Sequence, residues 1–193
     1  MSIDKLKQLR EQTGISMMEC KKALDESDGD IEKAKDVLRE KGKEMVKGRE
    51  GRKTNSGIVT SYIHANGKIG VLLELFSETD FVAKSEAFQE LSHEICLQIA
   101  ASHPLVVKDD DIKEEFLEKE KKICQKQLEE EKKPKEIMDK IIEGKLRKYK
   151  KEVSLLSQLW VKDSSKTIKD LVEEVKAKTG ENIEVGKFTR YEI

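Results

Sequence analysis

Asp80 and Phe81 stand side by side in the stretch Thr79-Asp80-Phe81-Val82-Ala83. Their types could act directly on another molecule. A carboxylate perturbs a nearby cation, and an aromatic ring that fills an apolar pocket contributes roughly 1.5–3 kcal/mol. Two readings stand at this point. Phe81 folds back into the core of its own chain while Asp80 caps the next helix, or the pair is displayed to enter the pocket of a partner. Other chemistry is thinly represented. His64, His93 and His103 are isolated from one another in sequence, and there is no Cys-x-x-Cys. There is no Gly-x-x-x-x-Gly-Lys-Ser/Thr loop, no Gly-x-Ser-x-Gly elbow, and no carboxylate pair that stands out as general acid and base. No cofactor and no metal site is expected, and the balance tilts from an enzyme toward a protein that acts by binding.

The elements around the pair follow from hydrophobic patterning. An apolar run from Ile69 to Phe76 reads as a strand leading into it. A helix starting near Ser85, with Phe88, Leu91, Ile95 and Ile99 on one face, leads away. Ile58 to Ile63 and Ile69 to Phe76 flank Asn66-Gly67, which predicts a tight type I′ hairpin. Ile183 to Ile193 is a third strand candidate, arriving from far away in sequence.

Upstream, residues 4–42 read as three short helices. Leu6, Leu9 and Arg10 lie in the first, which Gly14 ends. Ser16 and Glu19 suit a capping box for the second, which carries Met17, Met18, Ala23 and Leu24. Asp30 can cap the third, where Ile31, Ala34, Val37 and Leu38 recur at helical spacing. Between Arg39 and Lys53 there are seven basic and three acidic residues with interspersed glycines. This is a solvated flexible tether or a patch for nucleic acid or an acidic partner, and the nucleic-acid reading is weakened because no aromatic interleaves the charges for base stacking. Downstream, 111–132 and the run from Lys135 past Val153 read as charge-laced amphipathic helices broken at Pro134. A last helix spans 167–178, with Asp163, Ser164 and Ser165 offering capping oxygens.

The expected class is α+β. It comprises an N-terminal three-helix bundle like a ubiquitin-associated module (1–42), a basic glycine-containing linker (43–56) and an α+β core (57–193). That core has a small antiparallel sheet packed by helices and a charged helical pair at about 111–151. The 193 residues carry 38 basic and 39 acidic side chains, for a net charge of −1. That balance argues against direct nucleic-acid binding, which favours a basic excess. Three scattered cysteines, an odd number, fit a reducing compartment. The start Met1-Ser2-Ile3-Asp4 has no secretory pattern, and no run of 18 apolar residues suggests a membrane span. A cytoplasmic protein with no membrane partner is expected.

Several motifs together resemble the bacterial elongation factor Ts family. Leu9-Arg10-Glu11-Gln12-Thr13-Gly14-Ile15-Ser16-Met17-Met18-Glu19-Cys20-Lys21-Lys22-Ala23-Leu24 is similar to that family's N-terminal signature, and Gly29-Asp30-Ile31-Glu32-Lys33-Ala34 continues it. Thr79-Asp80-Phe81-Val82-Ala83-Lys84 with Phe88 resembles the second signature. Lys133-Pro134-Lys135-Glu136-Ile137, Lys140 to Leu146, Lys162-Asp163 with Ser165-Lys166-Thr167, and Phe188-Thr189-Arg190-Tyr191-Glu192 resemble later parts in the same order. One departure is Gln158-Leu159-Trp160, where the family commonly has Gln-Pro-aromatic.

The resemblance implies a guanine-nucleotide exchange factor in translation elongation whose partner is elongation factor Tu, GDP-bound and nucleotide-free. It assigns a wedge to Thr79, Asp80, Phe81 and Val82. Phe81 enters an apolar pocket of the partner's G domain, and Asp80 disturbs the Mg²⁺ region. It carries Arg10, Met17 and Met18 over as contacts from the bundle, with His64 a weaker contact candidate. A single copy of the hairpin-and-helix core, as in short family members, implies a homodimer. The competing reading is an adaptor that binds peptides through its ubiquitin-associated-like bundle without exchange activity.

Overall fold

The computed structural model describes residues 3–47, 51–130 and 135–193. Three helices open the chain: α1 (Ile3–Thr13), α2 (Met17–Glu26) and α3 (Ile31–Lys47). Leu9, Cys20, Ala23, Leu24, Ala34 and Leu38 form their shared core, flanked by Leu6, Ile15, Ile31 and Val37. Caps explain where α2 and α3 start. The Ser16 hydroxyl accepts from the Glu19 N–H at 3.3 Å. The Glu19 carboxylate meets that same hydroxyl at 3.0 Å, so this half of the expected capping box is side chain to side chain. Asp30 Oδ1 accepts from the N–H groups of Glu32 and Lys33 at 3.0 and 3.2 Å.

α3 runs five residues into the stretch read from sequence as a linker beginning at 43. Lys43, Glu44, Met45 and Lys47 are good helix formers, and no proline interrupts them. Residues 48–50 of that linker lie outside the described residues, and irregular backbone follows to Asn55. Gly42 is part of the helix and not a break. A Cβ there would stand 3.1 Å from the Ala177 Cβ, so the missing side chain lets α3 approach a helix, α8 (Ile168–Thr179), closely.

Strands β1 (Ser56–Ile63), β2 (Ile69–Ser77) and β5 (Ile183–Glu192) form one small antiparallel sheet in the order β1-β2-β5. Val71, Leu73, Leu75 and Ser77 of the central strand are buried in strict alternation. The hairpin between β1 and β2 differs from the type I′ turn expected. The His64 carbonyl accepts from the Gly67 N–H at 2.8 Å, and the His64 N–H donates to Ile69 at 2.9 Å. Gly67 takes φ +67, whereas Asn66 keeps a negative φ. The Asn66 carboxamide oxygen is engaged by the Lys68 N–H at 2.9 Å. Asn-Gly therefore serves a longer loop, with only the glycine in the left-handed region.

The remaining helices are α4 (Asp80–Ala83), α5 (Glu86–Ser102), α6 (Glu114–Glu130) and α7 (Lys135–Val153). α6 and α7 are the expected charged pair. Cys124, Leu128 and Ile142 are buried between them, with Met138, Ile141 and Leu146 alongside. Pro134 lies outside the described residues. Between α7 and α8 comes a second antiparallel sheet that sequence patterning did not foretell, β3 (Leu159–Trp160) with β4 (Asp163–Thr167). Asp163, Ser164 and Ser165, read as caps for the last helix, belong to β4 instead. The Asp163 carboxylate accepts from the Ser165 hydroxyl and N–H at 2.7 and 3.0 Å. Those bonds, with the Lys166 charge adding to them, hold its pKa below the usual aspartate value.

Packing divides the chain into two compact units. One draws on Met1–Thr60, Leu73–His93 and Asp170–Gly186. The other draws on Ser61–Leu72, Glu94–Lys169 and Lys187–Ile193. In the second, the Arg190 guanidinium donates to the Ala100 carbonyl at 3.2 and 3.3 Å, tying β5 to α5.

Candidate functional site

The Thr79–Ala83 stretch forms a single helical turn, α4, inserted between β2 and α5. Four residues cannot offset the cost of nucleating a helix by themselves, so the turn depends on what surrounds it. Thr79 is its N-cap, in extended conformation (φ −129°, ψ 157°), and its hydroxyl accepts from the Val82 N–H at 3.4 Å. The cap role expected of Asp80 in the core-burial reading thus belongs to Thr79. At the other end Ser85 donates through N–H and hydroxyl to the Val82 carbonyl at 2.9 and 2.7 Å. The Gln89 carboxamide donates to the Ala83 carbonyl at 2.7 Å. Ser85 then opens α5, accepting from the Phe88 N–H at 3.4 Å. Phe88 is fully buried and pins that helix start.

The turn faces two ways. Ala83 is buried, while Phe81 is 89% exposed and Asp80 is exposed beside it. Val82 is half-buried. Phe81 does not fold back into the core, and the roughly 1.5–3 kcal/mol its burial offers is left unrealised in the free chain. The turn holds an aromatic ring and a carboxylate next to each other at the surface.

A residue that sequence patterning did not single out braces this turn. Glu181 accepts from the Thr79 N–H at 3.0 Å through one carboxylate oxygen and from the Thr79 hydroxyl at 2.6 Å through the other. Glu181 follows Gly180, which ends α8 at φ +75 with its N–H donating to the Lys176 carbonyl at 2.9 Å. Next to it, the Asn182 N–H donates to the Glu78 carboxylate at 2.7 Å, and the Asn182 side chain donates to the Arg52 carbonyl at 2.9 Å. The only local hint of Glu181 is an acid placed after a helix-ending glycine, and nothing local connects it to Thr79.

The other candidate residues fall into two places. Arg10 is exposed on α1. Met18 is 68% exposed, and its neighbour Met17 is half-buried, at the start of α2. Both helices belong to the same packing unit as the Thr79–Val82 turn. His64 belongs to the other unit and is exposed at the hairpin turn, where its Nδ1 lies 2.9 Å from the Tyr62 hydroxyl. Among the described residues no group of three or more His, Cys, Asp or Glu could hold a metal ion, and no helix is long and apolar enough to cross a membrane.

The family profile described as "Elongation factor TS" matches residues 4–193, nearly the whole chain. The chain belongs to the elongation factor Ts family. It is 49% identical to elongation factor Ts of Thermotoga neapolitana over 192 residues, covering 100% of this chain and 96% of that protein. With elongation factor Ts of Coprothermobacter proteolyticus it shares 53% identity over 188 residues, 97% of this chain and 95% of the other. With elongation factor Ts of Caldanaerobacter subterraneus subsp. tengcongensis it shares 50% over 191 residues, 99% and 96% of the two chains. These elongation factor Ts proteins are therefore of nearly the same length as this chain.

Proposed function

We propose that this chain is a guanine-nucleotide exchange factor, not an enzyme, that binds elongation factor Tu and promotes GDP release so that GTP can bind. The observation that carries this reading is the display of Phe81, 89% exposed on a turn whose other face is buried. A guanine-nucleotide site holds its ligand by phosphate contacts and Mg²⁺. Phe81 enters an apolar pocket of the G domain, as an interface anchor does. Asp80 is carried with it toward the Mg²⁺ region, where a carboxylate competes for the cation and repels phosphate. Thr79 and Val82 shape the turn that carries both. By linkage, the GDP-bound partner holds the factor more weakly than the nucleotide-free partner does.

Arg10, Met17 and Met18 serve as a second handle on the G domain. The exposed thioether of Met18 suits an adaptable contact. In this reading the ubiquitin-associated-like bundle (1–42) is one functional part and the core (57–193) the other, joined by the basic stretch between them. His64 is a further contact from the hairpin. The chain works in the cytoplasm, without direct contact to nucleic acid or membrane, as a homodimer that supplies a second core by symmetry. β1 is an outer strand of its sheet, and Val59 and Ile63 on it are 72% and 66% exposed, which gives an apolar motive for pairing.

Stopped-flow release of fluorescent GDP from elongation factor Tu tests the reading. Wild type is expected to accelerate release strongly, and a folded Phe81→Ala to lose most of that acceleration. Acceleration that survives the substitution keeps exchange but removes Phe81 from it. No acceleration by wild type favours the peptide-binding adaptor.

A further inference from the structure

Thr79 is the only residue of the displayed turn whose backbone N–H and side chain are both held by a single group, the Glu181 carboxylate. We infer that Glu181 is a positioning residue for nucleotide exchange. Its carboxylate fixes Thr79, and through Thr79 the direction in which Asp80 and Phe81 leave the surface. The inference rests on the wedge reading of residues 79–82.

The argument runs through one hydroxyl. Thr79 Oγ1 donates to Glu181 Oε1 at 2.6 Å and accepts from the Val82 N–H at 3.4 Å. Donation to a carboxylate orients the hydroxyl so that a lone pair faces the helix. The second carboxylate oxygen holds the Thr79 N–H at 3.0 Å, so the cap residue is fixed at two points. Ser77 adds a third, its hydroxyl donating to the Thr79 carbonyl at 2.9 Å. A four-residue helix is too short to hold its own geometry. An exposed anchor repays its binding only when its direction is set in advance, because ordering it on binding subtracts from the affinity.

Glu181 is itself presented by a fixed turn. Its N–H donates to the Thr179 hydroxyl at 3.4 Å, and the adjacent Asn182 is buried, with its N–H on the Glu78 carboxylate at 2.7 Å. The backbone that carries the Glu181 side chain is thus held on both sides of it. Its reach to the partner is indirect, which separates it from Asp80 and Phe81.

Two measurements on the full chain test this. The first is amide hydrogen exchange of residues 79–85 in the free factor. Glu181→Ala is expected to speed exchange at Thr79 and Val82 by about tenfold, leaving α5 amides beyond Phe88 unchanged. The second is GDP release from elongation factor Tu across a range of factor concentrations. Glu181→Ala is expected to lower the maximal release rate by about tenfold while the half-saturating concentration moves less than about threefold. Glu181→Gln, which keeps an oxygen for the Thr79 hydroxyl, is expected to recover part of both. Phe81→Ala is the control for the wedge itself.

A looser turn with an unchanged release rate overturns the positioning role while leaving the wedge standing. An unchanged turn overturns it as well. A larger half-saturating concentration with an unchanged maximal rate makes Glu181 a simple affinity residue and is equally fatal. Phe81→Ala releasing GDP as fast as wild type removes the wedge, and the assignment of Glu181 falls with it.

Discussion

Phe81 and Ala83 are two positions apart on one helical turn, the first 89% exposed and the second 3% exposed. The turn thereby separates what it shows from what holds it. Phe81→Ala removes no internal contact of consequence and is expected to change unfolding free energy by less than about 0.5 kcal/mol. Ala83→Leu forces three extra carbons into a filled site and is expected to cost about 1–3 kcal/mol. Urea denaturation of the two variants checks both. An equal loss of stability for the two substitutions contradicts the two-faced description of the turn.

Gln98 is fully buried and serves as the hub of the β3–β4 hairpin. Its amide nitrogen lies 3.0 Å from the Ser102 hydroxyl, 3.0 Å from the Gln158 carboxamide oxygen and 3.1 Å from the Leu159 carbonyl. Its oxygen accepts the Val161 N–H at 2.9 Å. Gln98→Leu keeps the bulk but takes the donor away from the buried Gln158 carboxamide oxygen. It is expected to cost about 2–3 kcal/mol, because a buried unsatisfied polar group forfeits its full desolvation energy. Thermal unfolding gives the loss. Hydrogen exchange is expected to localise it to residues 158–167.

Cys96 has no exposed surface, and burial pushes its thiol pKa from 9.0 up to about 11. Between those values the unfolded chain releases the thiol proton while the folded chain keeps it. The unfolded state then binds fewer protons, so this group's contribution to stability is intact below pH 9 and falls as pH rises toward 11. Cys96→Ala is therefore expected to lose less stability than wild type between pH 9 and pH 11, measured by urea denaturation at each pH. Parallel curves for the two proteins contradict the shift.

Much of the fold was legible where residues carry their own periodicity. Leu9, Ala23, Leu24, Ala34 and Leu38 mark the bundle core by helical spacing, and the same residues are buried. β2 announces itself through Val71, Leu73 and Leu75. The charged pair α6–α7 follows from apolar stripes on a charged background.

What stayed hidden is order imposed from outside the segment concerned. β4, Asp163-Ser-Ser-Lys-Thr167, has no apolar alternation and owes its strand to pairing with β3. The turn at 79–83 was visible as a motif, but its helical form depends on Thr79, Ser85 and Gln89. Gly42 looked like punctuation and proved to be a contact point, because only packing against Ala177 reveals why a side chain is missing there. Nothing local ties Glu181 to Thr79, since that partner is 102 positions earlier.

The order β1-β2-β5 also has a consequence for how the protein comes into being on the ribosome. β2 is the central strand, yet one of its two neighbours is encoded roughly a hundred residues later. At about 5–20 residues per second of synthesis, β5 emerges on the order of 5–20 s after β2. Throughout that interval β2 has a bare edge and the sheet cannot close. Glu181 lies two residues ahead of the start of β5, so the missing strand and the bonds to Thr79 arrive together. A nascent chain therefore carries Phe81 on a turn held by its near neighbours Ser77, Ser85 and Gln89 alone, and the third strand and the Glu181 bonds to Thr79 form in the same final step.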